Sequence, residues 1–239
     1  MHRRLLLLLL PLAMLGAGCR GGQGGQPDLS ATIGRVQTRG ESGPCQAVFV
    51  GPDRALTAAH CIVDRRSWRP PAPGEVTVVA AGREFVVRGV TLPARPALGP
   101  SGAILDLQED WAILRVEVDA AAPPAPLPLA GERAARLAFV FREDVVKAAL
   151  IRSADGPEMV TSLARCSIEE LNPSGRLLTY SCGEGTGPGL SGSPLLLETA
   201  AGYEVIGVMS AKERLPSGEE VGIVVVPPVG EVAVGVGQR

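Results

Sequence analysis

The chain from Cys45 to Cys61 reads CQAVFVGPDRALTAAHC, and this stretch decides which fold the sequence can adopt. Two short apolar runs flank the turn Gly51-Pro52-Asp53-Arg54, a pattern that predicts a β-hairpin. A cysteine stands at each end of the stretch, and His60 comes directly before the second one. The segment therefore predicts a hairpin that ends in a histidine.

The rest of the chain repeats this pattern of short strands separated by glycine and proline. We predict further strands at residues 76–80, 84–90, 111–116, 137–141, 147–152, 176–181, 194–197, 203–209 and 220–226. No helix-period run of convincing length and no internal repeat is visible. Many short strands at near-regular spacing indicate an all-β barrel or sandwich. The Ala/Pro-rich stretch at 120–128 is a natural crossing between two halves, each a small barrel.

Composition limits the possible functions. The chain has 239 residues, a length that fits one domain of this class after removal of a leader. Hydrophobic residues make up 46% but aromatic residues only 3%, so Val, Leu, Ile and Ala must build the core. With 23 basic and 25 acidic residues and no basic stripe, nucleic acid is not expected as a partner. The histidines are His2 and His60 alone, so we expect no metal site and no cofactor.

The N-terminus has the features of an export signal. The basic segment His2-Arg3-Arg4 precedes an apolar run at 5–15, which is shorter than the roughly 20 residues of a membrane-spanning helix. Leu15-Gly16-Ala17-Gly18-Cys19 resembles the lipobox of bacterial lipoproteins, although Gly16 replaces the usual leucine. The resemblance implies that residues 1–18 are a signal peptide and that Cys19 is lipidated. An ordinary signal peptide cut nearby is the alternative.

The residues after Cys19 predict a tethered domain. Residues 19–30 are rich in Gly and Gln and predict a flexible tether, followed by a folded domain at 31–239. The membrane would then be a partner through the N-terminal lipid. The expected location is the bacterial cell envelope, at the outer membrane or the periplasmic face, rather than full secretion.

The number of cysteines fits export. Five is odd, and lipidation of Cys19 leaves Cys45, Cys61, Cys166 and Cys182. Disulfides persist in the oxidising compartment that export reaches. Four cysteines allow three pairings, and adjacency along the chain favours Cys45 with Cys61 and Cys166 with Cys182.

Three motifs in order suggest nucleophilic catalysis. His60 is followed by Asp110-Trp111-Ala112-Ile113-Leu114 and then by Gly189-Leu190-Ser191-Gly192-Ser193-Pro194. A serine hydroxyl becomes a good nucleophile when a base takes its proton and a carboxylate orients that base. His60 is the one candidate base outside the leader. Asp106 and Glu109 are alternative carboxylates.

These motifs resemble the trypsin-like (chymotrypsin-fold) serine peptidase family, and the Ser-Gly-Ser-Pro ending is more similar to bacterial members such as glutamyl endopeptidases. In that family a cysteine follows the histidine, its partner cysteine begins the hairpin, and alanine stands two residues after the aspartate. The resemblance implies two six-stranded antiparallel β-barrels with the active site in the cleft between them. It implies a catalytic triad of His60, Asp110 and Ser191, with the N–H groups of Gly189 and Ser191 as the oxyanion hole. Substrates would be proteins or peptides, and the protein a monomer.

The resemblance also locates a substrate pocket, where the chain departs from known members. Gly185 and Thr186 would form its base, and Ser210 to Lys212 its wall. Gly185 carries no charge, so cleavage after Lys or Arg is not expected. Met209 stands where glutamyl endopeptidases carry a histidine, and Lys212 would either attract an acidic side chain or be a solvated lysine.

A second departure precedes the nucleophile. Leu190 replaces the aspartate that, in digestive members, pairs with a new N-terminal amine after zymogen cleavage. That ion pair is impossible here, although bacterial relatives lack it too and are active.

Two other functions fit parts of the sequence. The chain could be a catalytically silent binding module with a peptidase fold on the cell envelope. It could also be a lipid-anchored structural protein with coincidental motifs, but the cysteine pairs would then need a separate explanation.

Overall fold

The computed structural model describes residues 28–38, 41–64, 67–93, 106–141, 146–153, 159–182 and 190–230. These residues form two closed antiparallel β-barrels of six strands each. The predicted all-β class and the chymotrypsin-like arrangement of two barrels are confirmed.

The first barrel contains the hairpin predicted between Cys45 and Cys61. Its strands are β1 (Ile33–Thr38), β2 (Glu41–Gly51), β3 (Arg54–Thr57), β4 (Val76–Ala80), β5 (Arg83–Thr91) and β6 (Ala112–Val116). They are hydrogen-bonded in the order β1-β2-β3-β6-β5-β4, and pairing of β1 with β4 closes the barrel.

The second barrel repeats this arrangement. Its strands are β7 (Val146–Ser153), β8 (Met159–Leu171), β9 (Leu177–Cys182), β10 (Pro194–Thr199), β11 (Gly202–Arg214) and β12 (Glu220–Val225). They are hydrogen-bonded in the order β10-β11-β12-β9-β8-β7, and pairing of β10 with β7 closes the barrel.

Several strands are apolar on both faces because both faces are buried. On β2, Ala47 and Phe49 point into the first barrel, whereas Val48 packs in a cluster that joins the two barrels. On β10, Leu195 points into the second barrel and Leu196 packs in the joining cluster. Successive side chains of a strand point to opposite faces, so a continuous apolar run is what a strand at this interface requires.

The predicted strand at 137–141 is wrong, because these residues end the helix α1 (Gly131–Phe141). Ala134, Ala135 and Ala138 form its buried face, whereas Leu137 and Val140 are exposed. The large apolar residues therefore indicated a strand, but alanines at helical spacing bury the segment, and alanine has the highest helix propensity.

Over the described residues, no helix is both long enough and apolar enough to cross a membrane.

The first described residues pack against the barrels. Leu29, which the sequence assigned to the flexible tether, is 5% exposed and packs with Ile33 and Val48 in the cluster between the barrels. One isolated leucine after a Gly/Gln-rich segment has no periodicity that would reveal its burial. The predicted leader and the rest of the tether, residues 1–27, lie outside the described residues.

Each barrel contains one disulfide. Cys45 of β2 is bonded to Cys61, and Cys166 of β8 is bonded to Cys182 of β9. These are the pairings that adjacency favoured. Each bond closes a loop with a sequence separation of 16 residues.

We expect replacement of both Cys166 and Cys182 by serine to lower the free energy of unfolding by about 3 kcal/mol, the chain-entropy value for a loop of this length. Urea unfolding under non-reducing conditions measures the change. The matched control replaces Ser167 and Ser181, which face each other one position along the same strand pair, with alanine. Equal losses in the two double variants would show that the disulfide adds nothing.

Candidate active site

His60 lies in a short 3₁₀ turn, Ala59–Cys61, directly after β3. The turn has little freedom to move, because Cys61 is bonded to Cys45 of β2 and Ala59 is fully buried. The imidazole itself is 12% exposed. The hairpin and the disulfide therefore fix a histidine at the edge of the first barrel with one side toward solvent.

Asp110 follows a second 3₁₀ turn, Leu107–Glu109, and precedes β6. Its carboxylate is 1% exposed and accepts three hydrogen bonds. The donors are the His60 backbone N–H at 2.9 Å, His60 Nδ1 at 2.7 Å and the Ser210 hydroxyl at 2.5 Å. Burying a carboxylate is costly unless donors replace its water, and these three donors do so.

The other two candidate carboxylates have different partners. Asp106 caps the 3₁₀ turn by accepting from the Gln108 N–H at 3.1 Å, and it is exposed. Glu109 pairs with Arg176 at 3.0 Å. The geometry thus favours Asp110 over both alternatives as the partner of His60.

The hydrogen bond to Asp110 determines the state of the imidazole. An ionised carboxylate only accepts hydrogen bonds, so Nδ1 carries the hydrogen, and in the neutral imidazole Nε2 then keeps its lone pair. Nε2 lies 3.8 Å from Cys61 Sγ. The imidazole can therefore accept a proton on the side away from Asp110.

The same region contains a cluster that could be mistaken for a metal site. Ligand atoms of Cys45, His60 and Cys61 lie within 4.8 Å of one another, which is the one such group that the described ranges contain. Both sulfurs belong to the disulfide and are not thiolates. As the cluster stands, it offers one imidazole nitrogen.

Ser191 lies in a turn that is held from both barrels. From the first barrel, the Gln46 N–H donates to the Ser191 carbonyl at 2.8 Å. From the second, Gly192 N–H donates to the Met209 carbonyl at 2.7 Å and Met209 N–H donates to the Ser193 carbonyl at 2.9 Å. Backbone hydrogen bonds therefore fix the turn on either side of the serine.

These contacts lead directly to the other two residues. Gln46 is the neighbour of Cys45, whose disulfide partner is the neighbour of His60. Met209 is the neighbour of Ser210, which donates to Asp110. The turn that carries Ser191 is thus tied to His60 through β2 and to Asp110 through β11.

At Gly192 the turn that carries Ser191 comes very close to strand β2. It has φ of +79°, and a Cβ at this position would lie 2.0 Å from the Gln46 carbonyl oxygen and 2.5 Å from Thr57 Oγ1. The Thr57 hydroxyl in turn donates to the Gln46 carbonyl at 2.6 Å. Only glycine allows the turn to lie this close to β2.

The predicted pocket and oxyanion residues are described in part. Gly185, Thr186 and Gly189 lie outside the described residues. Ser210, predicted in the pocket wall, directs its hydroxyl to Asp110. Sequence reasoning missed this contact, since nothing in the segment around Ser210 indicates a partner 100 residues away.

Lys212, the other wall residue, already has a partner. Its ammonium lies 3.3 Å from Glu220 Oε2, and Arg214 lies 2.8 Å from Glu220 Oε1. The Arg214 guanidinium, followed by the Lys212 ammonium, lowers the pKa of the Glu220 carboxyl. The positive charge of Lys212 is therefore offset by an acidic residue of the protein itself.

Among the described residues, Leu190, Tyr180 and Met209 give the turn uncharged neighbours in the second barrel. Leu190 is 6% exposed and packs in the core of the second barrel, so the position holds an apolar contact and no ion pair. The buried Tyr180 hydroxyl donates to Met209 Sδ at 3.3 Å. Burial raises the pKa of the Tyr180 phenol well above its ordinary value, which keeps it a neutral donor.

We expect Gly192→Ala to lower the free energy of unfolding by more than about 3 kcal/mol, because the new Cβ overlaps β2 and forces the turn away. The control is Gly218→Ala: Gly218 has a similar φ of +88°, but its Cβ would meet nothing within 4 Å. Denaturant unfolding of both variants separates the overlap from the strain of a left-handed conformation, which costs about 1–2 kcal/mol alone. Equal losses would contradict the close approach.

Comparison with known proteins agrees with this geometry. Residues 45–208, more than half of the 239-residue chain, match the trypsin-like peptidase domain. A search of curated proteins gives no significant match. The matched region begins at the first cysteine of the hairpin and includes His60, Asp110 and the turn of Ser191. The chain therefore belongs to the trypsin-like peptidase family.

Proposed function

We propose that the protein is a serine endopeptidase that hydrolyses peptide bonds through His60, Asp110 and Ser191. The observation that carries this proposal is the 2.7 Å hydrogen bond from His60 Nδ1 to the buried Asp110 carboxylate. A carboxylate that holds the only imidazole of the described residues in one tautomer is what a general base requires. Membership of the peptidase family supports the same function.

The proposed reaction begins with the Ser191 hydroxyl. Its oxygen attacks the carbonyl carbon of the substrate while its proton passes to His60 Nε2. The imidazolium gives that proton to the leaving amine, and the C–N bond breaks to leave an acyl-enzyme. Water then repeats the sequence with His60 as base, releasing the acid and restoring Ser191. Asp110 stabilises the charged imidazole in both halves.

The developing oxyanion needs donors that are already in place. In this proposal they are the backbone N–H groups of Gly189 and Ser191. The turn carrying Ser191 is held by hydrogen bonds to Gln46 and Met209, so its backbone does not have to reorganise during the reaction. Removing one such donor costs about 3 kcal/mol of transition-state stabilisation in comparable enzymes.

The joining of residues from both barrels at the site, together with membership of the peptidase family, supports an extended chain as the substrate. The buried polar groups of the site come from both barrels, since Asp110 precedes β6 and Ser210 belongs to β11. A peptide lying between the barrels would contact residues of both. Proteins and peptides are therefore the proposed substrates.

We expect Ser191→Ala to lower turnover of a peptide substrate by about 10⁶-fold and Asp110→Asn by about 10⁴-fold, because the first removes the nucleophile and the second the correct tautomer. The measurements are cleavage of a mixed peptide library and labelling by a fluorophosphonate. Label should appear at Ser191 alone. Ser217→Ala, in the exposed turn between β11 and β12, is the control and keeps both activities.

A folded protein that neither cleaves the library nor takes up the label would contradict the proposal. That result would favour the alternative, a catalytically silent binding module with a peptidase fold. Label at a serine other than Ser191 would contradict the assignment of the nucleophile.

We further propose that the protein is held at the bacterial cell envelope by a lipid on Cys19. The support is the apolar run at 5–15, the lipobox-like Leu15-Gly16-Ala17-Gly18-Cys19 and the Gly/Gln-rich tether that follows. One acyl chain binds membranes only weakly, so stable anchoring takes a second signal, such as a further acyl chain.

We expect Cys19→Ser to release the protein from membranes, because the lipidated thiol is lost. Detergent-phase partitioning of cell extracts measures this, with Gln26→Ser in the same segment as the control. If Cys19→Ser partitions like the unchanged protein, the protein is not anchored through this cysteine.

A further inference from the structure

Arg176 connects the second barrel to the turn that precedes Asp110. Its guanidinium donates from Nη2 to the Gln108 carbonyl at 2.8 Å and from Nη1 to Glu109 Oε1 at 3.0 Å. Gln108 and Glu109 belong to the 3₁₀ turn Leu107–Glu109 of the first barrel's β5–β6 connection. One side chain therefore holds both the backbone and a side chain of the segment that ends at Asp110.

The arginine extends from a rigid base. In the β8–β9 turn, the Arg176 N–H donates to Asn172 Oδ1 at 2.9 Å, and the Val226 N–H donates to the Arg176 carbonyl at 2.8 Å. The same turn approaches the 3₁₀ turn a second time, because the Ser174 hydroxyl donates to Gln108 Oε1 at 2.8 Å. Because the N–H and the carbonyl of Arg176 are both hydrogen-bonded, the backbone that carries the guanidinium is held in place.

The pair is also shielded from water. The side chains of Arg176 and Glu109 are 21% and 23% exposed, which makes them the least exposed arginine–carboxylate pair of the described residues. Arg88 and Glu117, by comparison, are 52% and 60% exposed. Shielding strengthens a charge pair, whereas exposed pairs contribute little.

Burying the Arg176 guanidinium has an energetic cost that a side chain used only for packing would not have. Arg176 Nε is buried and has no hydrogen-bond partner within the described residues. An apolar side chain could fill this space without a buried donor. The hydrogen bonds of its two terminal nitrogens to Glu109 and to the Gln108 carbonyl offset this cost.

We propose that Arg176 is a positioning residue for the candidate active site: it keeps the 3₁₀ turn Leu107–Glu109 in place, and with it the carboxylate that orients His60. The inference rests on the proposed peptidase function. Arg176 acts through Asp110 and contacts no substrate. Its loss removes both guanidinium hydrogen bonds to this turn and leaves the Ser174 contact with the Gln108 side chain as the turn's remaining side-chain bond to the β8–β9 turn. The hydrogen bonds of Asp110 to His60 and Ser210 then lose their alignment.

The first test is a kinetic comparison. Arg176→Ala should lower kcat on the order of tenfold to a hundredfold, the range for a small misplacement of a catalytic group, with KM little changed. Arg176→Lys should retain part of the rate, because lysine can pair with Glu109 but lacks a second rigid donor for the Gln108 carbonyl. Arg88→Ala removes a charge pair of the same chemistry elsewhere on the first barrel and should leave kcat unchanged.

A second kinetic measurement distinguishes positioning from stability. In an Asp110→Asn background, the carboxylate that Arg176 positions is already gone, so Arg176→Ala should lower kcat by less than about twofold more. An equal loss in both backgrounds would overturn the proposal, as would a folded Arg176→Ala variant with unchanged kcat or with a change in KM alone. If Arg176→Ala does not fold, Arg176→Lys in both backgrounds decides the question.

A spectroscopic measurement does not depend on peptidase activity. The chain contains His2 and His60 alone, so ¹⁵N-histidine labelling of a His2→Gln variant reports on a single imidazole. The Nδ1–H signal, shielded from exchange by Asp110, should broaden and exchange faster with water in Arg176→Ala but not in Arg88→Ala. An unchanged signal would overturn the inference. If the protein cleaves no peptide, the peptidase proposal fails, and this signal still tests the role of Arg176.

Discussion

The arrangement of this protein depends on a small set of backbone hydrogen bonds that hold the Ser191 turn between two separately closed sheets. Gln46 donates from one barrel, and Met209 both donates and accepts from the other. Each barrel is closed by pairing of its own strands, so neither leaves an open sheet edge for the other to cover. The site, by contrast, exists only where they meet, and the apolar cluster around Val48, Trp111 and Leu196 holds them together.

The residues closest to these contacts are small or uncharged for physical reasons. Gly192 leaves room for the Gln46 carbonyl, and Thr57 donates to that same oxygen. Asp110 is the buried charge of the site, and its three donors come from His60 and Ser210, one in each barrel. The carboxylate therefore orients the imidazole and also links the two barrels at the candidate site.

Local pattern and resemblance were sufficient for the fold, and they named His60 and Asp110, which the structure joins by a hydrogen bond. The hairpin from Cys45 to Cys61 was readable because apolar runs, a turn and two cysteines lie within one stretch. The helix α1 was misread because its buried face is made of alanines, while Leu137 and Val140 face solvent. The contacts from Ser210 to Asp110 and from Arg176 to Glu109 join residues 100 and 67 positions apart. Periodicity reports which face of an element is buried, not which distant side chain will meet it.

Leu190 places an apolar core residue where digestive peptidases form an ion pair. Its side chain is part of the barrel core, so the turn that carries Ser191 takes its shape as the core forms. No charged partner at this position has to be delivered by cutting the chain elsewhere. In the proposed peptidase, this turn would therefore reach its shape on folding, without an ion pair that cleavage of the chain creates.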